Sequence, residues 1–120
     1  MYLFVYGTLK RGFCNHYLLE EYAEFISNAT TQNRYPMVTL QENFFPYLIN
    51  NKGIGEHIEG ELYRIDGNLL DILDVLEDCP RLYTREEVIV ISMGVPLSAI
   101  VYFAKRTIDY RDTELLKCFE

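Results

Sequence analysis

Glu77 is the residue of this 120-residue chain best placed by sequence for proton chemistry. It follows Leu69, Ile72, Leu73 and Leu76, which recur at helical spacing, and Pro80 closes the run because proline disfavours helical geometry in the residue before it. The negative end of a helix dipole disfavours a carboxylate there, and partial burial would push its pKa up further. A glutamate poised towards neutrality can take and return a proton near pH 7. The same spacing also suits a solvated surface glutamate.

A second candidate is the stretch Val5-Tyr6-Gly7-Thr8-Leu9-Lys10-Arg11-Gly12. Leu3-Phe4-Val5-Tyr6 is an aromatic and β-branched run that suits a buried strand, and it stops at Gly7. A strand ending in a loop with two glycines leaves main-chain N–H groups without ladder partners, able to cradle an anion or a developing oxyanion. The plain alternative is a strand-to-loop turn. The Gly7–Gly12 spacing invites comparison with a nucleotide phosphate loop, but Phe13 and Cys14 stand where lysine and serine or threonine would be needed. No nucleotide site is expected.

Thiol and metal chemistry have less support. Cys14 and His16 are close in sequence and would suit a thiol-dependent hydrolase, although catalytic thiols usually borrow a histidine from elsewhere in the fold. Cys79 falls at the end of the helix dipole that does not favour a thiolate. The two histidines and three cysteines are scattered without paired spacing, so no metal site is expected.

Composition narrows the partners. A net charge of -7 with no lysine or arginine block argues against nucleic acid and anionic membranes. No apolar run approaches the length that spans a bilayer, and no secretory signal is evident. An odd number of cysteines (Cys14, Cys79, Cys118) points to reduced thiols and a cytoplasmic location. Ten tyrosines and no tryptophan supply rings with polar tips, which suit strands and also the wall of a pocket for a polar ligand.

The elements that must position these residues follow from pattern. Residues 15–22 predict a short helix with Asn15 as its N-cap. Residues 23–31, 35–40 and 44–49 predict strands, with Pro36 at a strand start or edge and Asn50-Asn51-Lys52-Gly53 as a turn. Residues 58–65 predict another strand, in which Gly60 marks a bulge or a close backbone approach. Asp66 caps the Leu69–Leu76 helix. Residues 83–92 and 97–105 predict two strands joined by a hairpin turn at Met93-Gly94-Val95-Pro96. Residues 107–120 read as a polar tail with one helical turn around Leu115 and Leu116. No strand–helix alternation is present, which favours one α+β domain over residues 1–120 with a mainly antiparallel sheet.

Two motifs, Val5-Tyr6-Gly7-Thr8-Leu9-Lys10-x-Gly12 and Leu73-Asp74-x-x-Glu77-x-Cys79-Pro80-x-x-Tyr83-x-Arg85, together resemble the γ-glutamylcyclotransferase-like superfamily, most closely its γ-glutamylamine cyclotransferases. The likeness takes in Asn15-His16, Tyr35-Pro36-Met37-Val38, Pro46-Tyr47-Leu48 and Gly60-Glu61-Leu62-Tyr63, running from about residue 2 to residue 90 and leaving the tail uncovered. It implies a small, mainly antiparallel β-barrel with two or three short helices, no metal and no cofactor. It implies a small-molecule γ-glutamyl substrate whose α-amine attacks its own γ-carbonyl, releasing 5-oxoproline and a free amine such as lysine. Glu77 would carry the proton, Tyr6, Gly7, Thr8 and Leu9 would hold the substrate, and Tyr83 would wall the pocket. Selectivity for the leaving amine is expected from the loop over residues 43–54. A cyclotransferase for γ-glutamyl amino acids or another γ-glutamyl amide, or a non-catalytic γ-glutamyl-binding module of the same fold, would carry the same motifs.

Overall fold

Three large apolar residues in a row, Leu3-Phe4-Val5, leave a strand no polar face to turn to water, so both faces must be covered. In a computed structural model, which describes residues 1–40 and 45–120, they form β1 (Tyr2–Val5). The chain continues through α1 (Tyr17–Glu20), β2 (Glu24–Tyr35), β3 (Met37–Thr39), β4 (Pro46–Leu48), β5 (Glu56–Arg64), α2 (Gly67–Leu76), β6 (Tyr83–Ser92) and β7 (Val95–Ala104). Five strands close a barrel in the order β1-β5-β2-β6-β7. All neighbours run antiparallel except the pair that completes the ring, where β1 meets β7 in parallel at Leu3 and Ile100. Closure removes exposed strand edges. Strands β3 and β4 form a separate antiparallel pair.

The α+β expectation therefore holds, with a mainly antiparallel barrel and two helices among the described residues. Two apolar clusters explain it. Phe4, Ile58, Leu62, Val90, Val101 and Phe103 fill the barrel. Leu3, Val5, Leu19, Tyr63, Leu69, Leu70, Leu73 and Tyr102 pack helices against its outer wall. No helix among the described residues is long and apolar enough to cross a membrane.

Gly60 sits where β5 passes closest to β1. A Cβ there would lie 2.3 Å from the Val5 carbonyl oxygen and 2.7 Å from the Phe4 ring. Its pairing with Ala29 runs without interruption, so the glycine marks a close approach and no bulge. The hairpin turn is tighter than expected. Only Met93 and Gly94 form it, both at positive φ as a primed two-residue turn requires, and Val95 and Pro96 already belong to β7.

The helices differ from expectation in ways that matter for the site. Asp66 caps α2 as expected, accepting from the Leu69 N–H at 2.8 Å. The buried stripe is Leu69, Leu70 and Leu73, whereas Ile72 and Leu76 are exposed. Ile72 lies one hundred degrees round the helix from Leu73, on the side turned from the barrel. The helix ends at Leu76, before Pro80 acts on it. Cys79 N–H bonds to the Asp74 carbonyl and Asp78 N–H to that of Val75, with Asp78 at φ 52, the pattern of a Schellman stop. In α1, Asn15 is not the cap. His16 holds that position without a side-chain bond, and the Asn15 amide donates to Thr8 Oγ1 at 2.9 Å.

The tail forms no helical turn. Its backbone is engaged elsewhere: Leu116 N–H donates to the Met37 carbonyl at 2.9 Å, and Glu59 N–H to that of Lys117 at 2.7 Å. Leu116 and Phe119 pack on the barrel core, and the Phe119 ring lies 5.1 Å from that of Phe13. The expected strand at residues 44–49 is observed as β4, with Phe44 outside the described residues.

Gly60→Ala is expected to destabilise the fold by about 2–3 kcal/mol or more, because backbone cannot yield as a side chain can. Gly67→Ala, at the open start of α2, should instead stabilise by roughly 0.4–1 kcal/mol. Urea denaturation of the two variants checks the contrast.

Candidate active site

The loop after β1 is built by its own hydrogen bonds. Lys10 N–H closes a turn on the Gly7 carbonyl at 3.0 Å, and Asn15 N–H returns to that of Thr8 at 3.0 Å. The Asn15 amide and the His16 ring hold Thr8 and Leu9 from behind. Gly7 passes so close to Pro46 that a Cβ would meet the proline ring at 2.8 Å. The N–H groups of Gly7, Thr8 and Leu9 find no hydrogen-bond partner among the described residues. They form a row of donors beside a cavity of about 430 Å³.

Glu77 closes α2 as its C-cap and lines the same cavity. All six residues singled out in the sequence meet there: Tyr6, Gly7, Thr8, Leu9, Glu77 and Tyr83. Burial pushes the Glu77 carboxyl up to about 7. Tyr6 is buried and donates to the Tyr102 carbonyl at 2.5 Å; burial, then Tyr83 and Glu77, raise its pKa well above the usual value. Tyr83 stacks on Tyr47 with ring centroids 6.3 Å apart, and its pKa is raised by burial first and Glu77 second. Cys14 is exposed and outside the cavity lining, and the His16 ring nitrogen meets the Leu9 carbonyl at 2.9 Å. The thiol–imidazole pair expected of a hydrolase is therefore not assembled. Among the described residues no group of three His, Cys, Asp or Glu side chains is placed to hold a metal ion.

A half-buried glutamate shares a cavity with a glycine-containing loop on a small barrel. Residues 3–118 match the family described as γ-glutamyl cyclotransferase, AIG2-like. This chain belongs to that family. The match includes the tail, which the motif resemblance left uncovered. The chain is 46% identical over 90 residues to γ-glutamylaminecyclotransferase A of Danio rerio, covering 72% of this chain and 56% of the relative. It is 42% identical over 87 residues to the γ-glutamylaminecyclotransferase of Homo sapiens, covering 69% and 57%. The chain thus spans little more than half the length of these relatives. The crystal structure of an AIG2-like protein from Mus musculus superposes with a TM-score of 0.92 at 30% identity, covering 99% of this chain and 87% of that one.

The cavity has lining residues that the sequence motifs did not single out. Tyr102 lines the cavity from β7, and Tyr47 and Asn15 complete its wall. The signal for Tyr102 was strand alternation: Val101 and Phe103 point into the barrel, so the residue between them faces α2 and the cavity. Tyr47 comes from the expected selectivity loop, of which residues 43 and 44 lie outside the described residues; Phe45 and Pro46 line the cavity beside it.

The raised Glu77 carboxyl carries a stability cost with a definite sign. Its folded pKa of about 7 exceeds the ordinary 4.5, so its contribution is fully present below pH 4.5 and is lost as pH rises through 7. The loss at pH 8 is at most roughly 3 kcal/mol. Glu77→Gln removes the buried charge and is expected to melt higher than the parent at pH 8, with the advantage gone at pH 4. Thermal denaturation at the two pH values reads this directly.

Proposed function

We propose that residues 1–120 form a single γ-glutamylcyclotransferase-like domain acting as a γ-glutamylamine cyclotransferase. It would convert a small γ-glutamyl amine into 5-oxoproline and the free amine, without metal or cofactor. The observation that carries this reading is one carboxyl, poised near neutrality by burial, sharing a cavity with Gly7, Thr8 and Leu9, whose N–H groups find no hydrogen-bond partner among the described residues. The names and identities of the relatives support it.

Ionised Glu77 takes a proton from the substrate's α-ammonium group, and the freed amine attacks the γ-carbonyl to close a five-membered ring. The tetrahedral oxyanion that forms is met by main-chain donors of the loop; one such donor is typically worth about 3 kcal/mol in the transition state. Collapse breaks the bond to the departing nitrogen, which receives the proton held by Glu77; the regenerated carboxylate then takes the second proton from the ring nitrogen and passes it to the freed amine, which leaves as ammonium. Nucleophile and electrophile belong to one molecule, so holding the folded conformer supplies much of the rate, up to roughly 7–11 kcal/mol. Tyr6 and Tyr83 bound the site as neutral phenols. The substrate class fits γ-glutamyl-ε-lysine, with lysine as the amine released. The three free cysteines suit a reducing cytoplasmic compartment.

The test is release of 5-oxoproline from γ-glutamyl-ε-lysine and from γ-glutamyl-alanine. The first substrate should be turned over and the second should separate amine from amino-acid specificity. Glu77→Gln is expected to lose about 10²–10⁴-fold in rate. Because the base must be ionised, kcat/KM should rise with pH and level off above about 7. A Gln variant with wild-type turnover would overturn the assignment, and absence of release from both substrates would overturn the reaction.

A further inference from the structure

Asp74 and Arg85 belong to the second sequence motif, yet neither lines the cavity. Asp74 stands one helical turn before Glu77, and side chains three apart are neighbours on a helix surface. Its carboxylate faces the barrel. The Tyr102 hydroxyl donates to Asp74 Oδ1 at 2.6 Å, and Arg85 Nε reaches the same oxygen at 3.2 Å. Arg85 and Tyr102 are register partners across the β6–β7 hairpin, so two adjacent strands converge on one carboxylate. The Tyr102 carbonyl in turn accepts the Tyr6 hydroxyl at 2.5 Å. A single chain of bonds thus ties the last turn of α2 to β6, to β7 and to the end of β1. Those are the elements that bring Glu77, Tyr83, Tyr102 and Tyr6 to the cavity.

We propose that Asp74, Tyr102 and Arg85 are positioning residues: they clamp the last turn of α2 to the barrel, aim Glu77 at the Tyr6–Leu9 loop, and keep the Asp74 charge balanced so that it does not act on Glu77. The inference rests on the reading of Glu77 as the proton carrier. The clamp is enclosed on the helix side, with the Asp74 side chain only 20% exposed, while Arg85 keeps contact with water at 40%. The groups that face Glu77 are Tyr6 just after β1, Tyr83 from β6 and Tyr102 from β7, with Asp74 on its own helix. Arg85 stands behind Asp74, and Arg106 acts on Tyr83. Burial raises all three phenols, so they stay neutral at working pH. The balance that substitution can tip is the one between Asp74 and Arg85.

The two halves of that balance give opposite signs, which a merely structural role would not. In Arg85→Gln the uncompensated Asp74 should move the midpoint of Glu77 ionisation up by about half a pH unit, the Coulomb effect of a unit charge roughly 6 Å away in a water-like dielectric. In Asp74→Asn the unpaired guanidinium should move it down by a similar amount. Arg85→Lys keeps the charge and should return the midpoint close to the wild-type value. NMR titration of the Glu77 side-chain carboxyl carbon reads all three without needing turnover. In the 5-oxoproline assay, Asp74→Asn and Tyr102→Phe should lower kcat about tenfold with KM little changed, because they disturb the aim of the base. Unchanged Glu77 midpoints in folded Arg85→Gln and Asp74→Asn would overturn the clamp. Should either fail to fold, an unchanged midpoint and kcat in Tyr102→Phe would overturn it equally. Shifted midpoints in a protein that turns over no γ-glutamyl amine would sustain the clamp and overturn the reaction.

Discussion

Burial of β1 on both faces is the constraint from which the site follows. Phe4 must enter the barrel, and Leu3 and Val5 must be covered from outside by α2. The chain leaving β1 at Tyr6 and the end of α2 at Leu76 and Glu77 line one cavity, so the loop residues and that carboxylate share it. Burying a large aliphatic or aromatic side chain is worth about 1.5–3 kcal/mol, so three such residues oppose any slippage of α2. Gly60 adds a steric condition, since only a residue without a side chain lets β5 approach Val5 so closely.

Glu77 occupies the place where the fold works against a charge. Its N–H is satisfied by the Leu73 carbonyl, but among the described residues none that lines the cavity is a lysine or arginine, and burial raises its pKa. The arrangement departs from what stability would select, and such departures are where function is found. The same helix end shows the opposite treatment of Asp74, which is given both a phenol and a guanidinium. Two carboxylates one turn apart thus have different surroundings: Asp74 is paired with a phenol and a guanidinium, while burial pushes the Glu77 carboxyl up to about 7.

Legibility in the sequence tracked locality. The Asp66 cap, the Met93–Gly94 turn and the run of β1 each depend on a few adjacent residues, and each is found close to where pattern placed it. The six candidate residues carried by the two motifs line one cavity. What stayed hidden depended on distant partners. Asn15 has the chemistry of a cap, but Thr8 competes for its amide. Leu70 and Ile72 fit an apolar stripe equally by spacing, and only the position of the barrel decides between them. The tail reads as polar, and its order comes from backbone bonds to Met37 and Glu59 that no local pattern announces. Tyr102 looked like one more strand tyrosine until closure of the barrel set it beside α2.

The tyrosines also limit how protons can move in the cavity. Tyr6 from the end of β1, Tyr83 from β6 and Tyr102 from β7 reach it, and burial lifts each phenol above its ordinary value near 10, with the Glu77 charge adding to the effect. A phenol so raised donates a hydrogen bond but does not ionise at neutral pH. The thiol of Cys14 and the imidazole of His16 lie behind the loop or outside it. Among the described cavity residues, Glu77 alone can change protonation state close to pH 7. A cyclisation that removes a proton from one nitrogen and returns it to another needs one group able to do both. Under the proposed reaction that group is the carboxyl at the end of α2, since burial keeps the surrounding phenols neutral.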